Sequence, residues 1–219
     1  EIVQSLVGSE MCIRDSLLSP YMHVMVERAC KDLAGVSASQ VEMQSGIQFY
    51  NGITTDEIQG ILIKSASDLI SLEQPNYQYV AARLLLFSLR KSLYGKIYEI
   101  PHLKDHIDRC IDNGVYDPTV NDKFTVGEIN ELEKYLDHDR DYLFTYAGLR
   151  QVADKYLVQD RSSGQVYETP QFMYMLIAMT MFAEYDRGTR LNYIKRYYDA
   201  ISKHKINIPT PIMGGVRTP

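Results

Sequence analysis

Residues 54–95 read TTDEIQGILIKSASDLISLEQPNYQYVAARLLLFSLRKSLYG, and this stretch decides the fold. Thr54 and Glu57 have the spacing of a capping box, in which the hydroxyl caps the first helical turn and the glutamate reaches back. Apolar residues recur at helical spacing on both sides of Pro75, which ends one helix and starts the next. Gly95 stands where a left-handed C-cap is expected. The stretch therefore predicts two consecutive amphipathic helices.

Two polar side chains stand at the ends of these helices. Thr55 lies at the N-terminus of the first helix, and Lys91 lies in the last turn of the second. Antiparallel packing would bring both to one end, where free N–H groups, a hydroxyl and an ammonium suit a phosphate. Capped helices with a terminal lysine are nevertheless common in proteins that bind no phosphate. The residues alone leave both interpretations open.

Several runs of the chain resemble the ATP cone in the large (alpha) subunit of class I, aerobic ribonucleoside-diphosphate reductase. These runs are Ser39–Glu42, Ile47–Ile53, Tyr77–Leu84 and Tyr94–Gly95. In that family the cone is the overall-activity switch, turned on by ATP and off by dATP. The resemblance therefore implies an allosteric ATP or dATP site with Thr55 and Lys91 as effector contacts.

The chain departs from the family's pattern around this site. Leu18 and Tyr21 stand where the family has charged and amide contacts, and Gln59 stands where some relatives carry a histidine near the base. Residues 1–16 do not fit the family, which has a strand pair and a Lys-Arg phosphate grip there. They resemble translated adapter sequence, so we expect this segment not to be native, although a frayed strand that uses Ile2, Val3, Leu6 and Val7 fits the residues equally well. In either case we expect the effector site to be incomplete.

Composition is that of a globular protein. The chain has 219 residues, 45% of them hydrophobic, and a net charge of -5, which argues against a surface that wraps nucleic acid. No apolar run reaches membrane-spanning length. The cysteines Cys12, Cys30 and Cys110 show no metal-binding spacing and are typical of reduced thiols in a cytoplasmic protein.

The segments before residue 54 also have helix signals. Ser19 and Pro20 form a cap and first-turn pair, which predicts a helix that Gly35 ends. Ser37 and Gln40 have capping-box spacing and predict a short helix to about residue 49.

A linker at 96–100 leads into a segment that resembles the helical domain preceding the reductase's catalytic barrel. His102 and His106 have the i, i+4 spacing of a metal pair, but no further ligand is spaced to complete a site, so a solvated helix face is expected. Thr125 and Glu128 predict another capping box.

Three further patterns lie between residues 137 and 203. The charged run Asp137–Asp141 is also present in the family and indicates a hydrogen-bonded helix junction rather than an acid–base centre. Residues 155–168 predict a β-hairpin around a glycine-containing turn. Residues 171–184 are apolar nearly all round and predict a buried helix, and residues 189–203 predict an amphipathic one.

The tail, 205–219, predicts a short strand followed by a rigid turn at two prolines and two glycines. It resembles the segment that enters the ten-stranded barrel of the reductase. There the residue that matches Thr210 contacts the nucleoside diphosphate substrate.

We therefore predict a mainly α fold. Residues 1–16 form a non-native leader, 17–95 an ATP cone incomplete at its N-terminus, 96–204 a helical domain with one small β-hairpin, and 205–219 the first strand of an absent α/β barrel. No catalytic cysteine of the family falls within the chain, so catalytic and metal-ligating residues are predicted to be absent and the chain alone inactive.

The resemblance implies a parent enzyme that reduces ribonucleoside diphosphates to deoxyribonucleoside diphosphates by thiyl-radical chemistry. It further implies a homodimer, a small subunit that carries the radical cofactor, and thioredoxin or glutaredoxin as reductant. The alternatives are a non-enzymatic ATP-cone module that senses nucleotides, and a helical interaction domain. The sensing module found in a transcriptional repressor of reductase genes would carry paired CxxC motifs, which this sequence lacks.

Overall fold

The structure, a computed structural model, describes residues 15–50 and 52–219 and is mostly helical. Its helices are α1 Asp15–Cys30, α2 Ala38–Gly46, α3 Thr55–Asp68, α4 Tyr77–Tyr94, α5 Leu103–Asp112, α6 Thr119–Lys123, α7 Val126–Glu133, a 3₁₀ helix His138–Leu143, α8 Tyr146–Lys155, α9 Pro170–Met181, α10 Arg190–Ser202 and α11 Thr210–Gly215. Residues 1–14 of the predicted leader lie outside the described part.

The chain folds as two compact units. The first contains the described residues up to Tyr98 together with Phe144–Arg150, and the second contains Glu99–Leu143 and Gln151–Pro219. In the first unit, α3 packs along α4, and α1 and α2 cover this pair. Its core is formed by fully or almost fully buried apolar side chains, among them Val26, Ile58, Leu62, Ala66, Val80, Ala81, Leu84 and Leu86.

The predicted helix ends of the decisive stretch are confirmed. The Thr54 hydroxyl accepts a hydrogen bond from the Glu57 amide, while the Glu57 carboxylate accepts one from the Thr54 amide. Gly95 adopts φ +70 and its amide donates to the Lys91 carbonyl, so this left-handed position ends α4.

Two predictions before α3 are wrong. The helix predicted from Ser19 begins at Asp15, and Pro20 lies inside it. A proline removes one intrahelical hydrogen bond, and the buried face formed by the later part of α1 offsets this loss. The capping box of Ser37 and Gln40 does not form, although Ser37 does precede α2.

A tertiary contact explains the missing box. The Tyr77 hydroxyl accepts a hydrogen bond from the Ser37 amide at 3.0 Å and donates one to the Gln40 side-chain oxygen at 2.6 Å. Because Tyr77 occupies the two groups that the box would have joined, α2 is held by α4 instead of by its own cap.

The second unit is built around α9, which packs against α10, α11 and the 3₁₀ helix. Every side chain from Pro170 to Met179 is buried, which confirms the predicted buried helix. No helix in the described residues is long and apolar enough to cross a membrane.

The charged run Asp137–Asp141 is the predicted hydrogen-bonded junction. Arg140 contacts the Asp199 carboxylate at 2.7 Å and donates to the Ser202 hydroxyl at 2.8 Å, both on α10. Asp141 is buried and accepts a hydrogen bond from Gln171 on α9 at 2.9 Å. These contacts fix the 3₁₀ helix to the two central helices of the unit.

The predicted hairpin is present in its smallest form. Gln159 and Val166 make an antiparallel bridge, flanked by backbone hydrogen bonds from Asp160 to Gln165 and from Tyr167 to Val158. Gly164 has φ +75, which a glycine adopts without steric cost.

Two further predictions in the second unit are wrong. The solvated face expected for the histidine pair holds only for His102, because His106 is buried and its ring stacks on Phe172 at 3.9 Å between centroids. The tail forms the short helix α11 and no strand. Its last residues fold back into the unit, since Arg217 is fully buried beside Glu168.

Candidate functional site

The N-terminus of α3 offers unpaired backbone donors. Thr55 is the first residue of this helix and is half-buried. Helix geometry leaves the first N–H groups without an intrahelical acceptor. Hydrogen bonds from the Thr54 amide, the Tyr50 hydroxyl and the Thr54 hydroxyl lower the pKa of Glu57, so its carboxylate stays ionised and committed to the cap. The groups left to face a ligand are therefore the amides of Thr55 and Asp56.

Lys91 reaches the same end of the helix pair. Its ammonium lies 3.8 Å from the Asp56 carboxylate, in the first turn of α3. The Lys91 side chain is 19% exposed, whereas that of Asp56 is 90% exposed. The structure thus brings Thr55 and Lys91 together, as the antiparallel arrangement required, with a cation held in place beside helix N–H donors.

Gln59 and Tyr21, two of the positions where the sequence departs from the family's pattern, lie beside this cluster. Burial raises the pKa of the Tyr21 hydroxyl; the Gln59 amide opposes this, and the charges of Tyr98 and Asp56 add to it. Gln59 is 3% exposed, and its amide nitrogen makes no hydrogen bond of standard geometry in the part of the chain that is described. The contact with the Tyr21 hydroxyl therefore leaves this buried donor incompletely satisfied, which is uncommon in folded proteins.

These groups suit a nucleotide. The cation and the helix N–H groups match phosphate oxygens, and the Gln59 amide, one turn further along α3, offers a donor at some distance from them. Two carboxylates of the first turn, those of Asp56 and Glu57, are unfavourable for an anion; Glu57 is held in the cap, and Asp56 is exposed to solvent. The side chains present therefore fit a phosphate-bearing ligand, with one amide donor nearby.

Thr210 lies in the second unit, at the first residue of α11, and is exposed. Its hydroxyl lies 3.3 Å from the Tyr156 hydroxyl. The hydroxyl thus stands at the surface with a defined hydrogen-bonding partner. The described residues contain no cluster of three or more metal-ligating side chains.

Sequence reasoning missed a buried polar network in this unit. Arg217 and Glu168 form an ion pair with both side chains fully buried, and the Tyr116 hydroxyl also donates to Glu168. His106 lies 3.0 Å from the Tyr116 hydroxyl. Burial raises the pKa of Tyr116 well above its usual value, with the Glu168 charge adding to it, and burial lowers that of His106. No local pattern signals these long-range pairings.

Neither described cysteine is poised for thiolate chemistry. Burial raises the pKa of Cys30 to about 11 and that of Cys110 to about 12. Both thiols are therefore protonated at neutral pH, and a protonated thiol is a weak nucleophile. Cys12 lies outside the described residues.

Two segments of the chain match the models of known protein domains. Residues 22–92 match the model of the ATP cone domain, and residues 142–219 match that of the ribonucleotide reductase all-alpha domain. The chain is 49% identical over 198 residues to ribonucleoside-diphosphate reductase 1 subunit alpha of Escherichia coli strain K12, covering 90% of this chain and 26% of that relative. Subunit alpha of Haemophilus influenzae is 47% identical with the same coverage.

A viral relative matches equally well. Ribonucleoside-diphosphate reductase subunit alpha of Enterobacteria phage T4 is 47% identical over 187 residues, which are 84% of this chain and 24% of the relative. The chain thus spans about a quarter of the length of the curated relatives it matches. The chain thus contains an ATP cone segment and a ribonucleotide reductase all-alpha segment, and nine-tenths of its sequence is similar to part of ribonucleoside-diphosphate reductase alpha subunits.

Proposed function

We propose that this chain is the regulatory and substrate-entry part of a ribonucleoside-diphosphate reductase, an oxidoreductase that makes deoxyribonucleoside diphosphates. The regulatory part of the proposal is supported by the position of Lys91. Its ammonium lies beside the first turn of α3, and both belong to the segment that matches the ATP cone domain. ATP and dATP are the effectors of the proposed switch.

The phosphates of the effector bind at the start of α3. The amides of Thr55 and Asp56 and the Thr55 hydroxyl donate to phosphate oxygens, and the macrodipole of α3 favours negative charge at this end. Lys91 supplies a positive charge that its low exposure keeps close to the ligand. Each contact to a charged oxygen contributes about 1.5–3 kcal/mol.

The base lies further along the first turns of α3. The Gln59 amide donates to an acceptor nitrogen of the ring, which gives this buried donor a partner. Tyr21, half-buried beside Gln59, bounds the same end of the site.

The substrate part of the proposal concerns Thr210. Its exposed hydroxyl donates to a diphosphate oxygen of the ribonucleoside diphosphate that is reduced by thiyl-radical chemistry. The radical cofactor resides on a small partner subunit, the alpha chain acts as a homodimer, and thioredoxin or glutaredoxin returns the reducing equivalents. The protein works in the cytoplasm.

The domain limits belong to the same proposal. The cone extends over residues 17–95, the helical domain over 96–204, and the barrel begins within 205–219. The ATP cone match at 22–92 and the division of the fold after Tyr98 support the first of these limits.

Calorimetric titration of ATP and dATP into the chain tests the effector site. We expect both nucleotides to bind, and Lys91→Gln to weaken binding by about tenfold or more, because it removes a charged contact. Lys64→Gln is the matched control, since Lys64 lies on α3 in an exposed pair with Asp68. Absence of heat with either nucleotide, or equal affinities for the two variants, would contradict the proposal.

A further inference from the structure

The fully buried side chain of Arg217 makes contacts in three directions. Its Nε lies 3.1 and 3.0 Å from the two carboxylate oxygens of Glu168. One terminal nitrogen donates to the Met213 carbonyl at 2.6 Å, and the other donates to the Tyr156 carbonyl at 2.7 Å and also binds Glu168. Every edge of the guanidinium is therefore engaged.

Two of these partners determine where Thr210 stands. Met213 belongs to α11, the helix that Thr210 begins, and its amide bonds back to the Pro209 carbonyl at 3.2 Å. Tyr156 supplies the hydroxyl that lies 3.3 Å from the Thr210 hydroxyl. Arg217 therefore contacts α11 through the Met213 carbonyl. It also contacts the Tyr156 carbonyl, and Tyr156 is the residue whose hydroxyl lies beside Thr210.

We propose that Arg217 is the positioning residue of the substrate contact: neutralised by Glu168, it clamps α11 to Tyr156 and so fixes the Thr210 hydroxyl. This inference rests on the proposed role of Thr210 toward a nucleoside diphosphate.

Arginine is suited to this task and lysine is not. The guanidinium is planar and carries five donors in a fixed fork, so it binds a carboxylate and two carbonyls at once. A lysine keeps the charge that Glu168 needs but offers one small ammonium group. Arg217→Lys therefore preserves the buried ion pair and loses part of the clamp.

Amide hydrogen exchange, followed by NMR on the full chain, tests the clamp. We expect Arg217→Lys to speed exchange at Ile212 and Met213 by about tenfold or more, because a hydrogen bond to a charged donor is lost. Arg190→Lys is the matched control. Arg190 is 3% exposed in the same unit and binds Glu128 and the carbonyls of Ala183 and Lys123, away from the tail.

Unchanged exchange at Ile212 and Met213 in Arg217→Lys, or an equal change in Arg190→Lys, would overturn the proposal. A second variant decides the matter if Arg217→Lys fails to fold. The double change Arg217→Met with Glu168→Gln removes both buried charges together, which folded proteins commonly tolerate. We expect it to speed exchange in α11 as well, and protection equal to that of the wild type would refute the clamp.

Titration with CDP, a ribonucleoside diphosphate, tests whether the clamp affects substrate binding. We expect Thr210→Val and Arg217→Lys each to weaken CDP binding by about tenfold, with Arg190→Lys unchanged. Equal binding by wild type and Thr210→Val would remove the substrate role of Thr210, while the exchange data still decide the clamp. Loss of affinity in Thr210→Val with none in Arg217→Lys would overturn the positioning role.

Discussion

The ammonium of Lys91 lies 3.8 Å from the carboxylate of Asp56, although the two residues are 35 positions apart in the sequence. The pair marks the end where α4 finishes beside the start of α3. Lys91 is largely covered, whereas Asp56 is almost fully exposed, so solvent screens the Asp56 carboxylate more than the Lys91 ammonium. A phosphate bound at the proposed effector site would compete with Asp56 for the same lysine.

This competition predicts that Asp56→Asn strengthens nucleotide binding. The change removes a negative charge beside the phosphate site and frees Lys91, and we expect the affinity for ATP to rise about two- to fivefold at low salt. Calorimetry at low and high ionic strength measures it, because screening should shrink the gain. Glu73→Gln, an exposed acid on the loop after α3, serves as the control. Weaker binding by Asp56→Asn would show that the carboxylate assists the ligand instead.

The buried amide of Gln59 predicts opposite effects on stability and binding. Gln59→Leu replaces a buried donor that makes no hydrogen bond of standard geometry with an apolar side chain of similar size, so the free energy of unfolding should stay level or rise by about 1 kcal/mol. The same change should weaken ATP binding, since the proposed contact to the base is lost. Urea unfolding and calorimetry on one preparation measure both quantities. A large loss of stability would mean that the amide has a structural partner.

The two predicted caps at Thr54 and Ser37 give a matched pair of variants. The Thr54 hydroxyl accepts a hydrogen bond from Glu57 at 3.3 Å, whereas the Ser37 side chain makes no cap hydrogen bond. Thr54→Ala should therefore cost about 1 kcal/mol in urea unfolding, and Ser37→Ala only a few tenths. Equal costs would show that sequence spacing, rather than the observed hydrogen bonds, governs cap strength here.

Local signals predicted the parts of this fold that local interactions build. The boxes at Thr54 and Thr125 form as expected, because each needs only residues three apart. The box at Ser37 fails because Tyr77, forty residues away, captures its groups. A one-dimensional pattern cannot weigh a cap against a tertiary hydrogen bond that competes for it.

The two candidate sites also differ in how far the sequence could predict them. Thr55 and Lys91 lie at the ends of neighbouring helices, so antiparallel packing alone brings them together, and the sequence was enough to nominate them. The conformation of the tail involves a long-range contact between Arg217 and Glu168, which lies 49 positions earlier in the sequence. The sequence pattern predicted a short strand before a rigid turn at the prolines. The structure instead has a short helix, α11, which packs on α9, together with a buried ion pair.

Buried His106 predicts how the second unit responds to acid. Burial lowers the pKa of its imidazole, with Arg109 and His138 adding to the effect. The unfolded chain, in which a histidine titrates near pH 6.5, then binds the proton more readily than the folded chain does. The stability that this histidine contributes is complete above about pH 6.5 and is lost as the pH falls below it.

Urea unfolding at about pH 7.5 and about pH 5.5 measures this contribution. We expect the free energy of unfolding to fall by about 1 kcal/mol less in His106→Gln than in the wild type when the pH is lowered between these two values. The glutamine amide can still donate to Tyr116. His102→Gln is the control, because the His102 side chain is 82% exposed at the start of the same helix. Parallel losses in the wild type and in His106→Gln would mean that the imidazole takes up its proton in the folded unit as readily as in the unfolded chain.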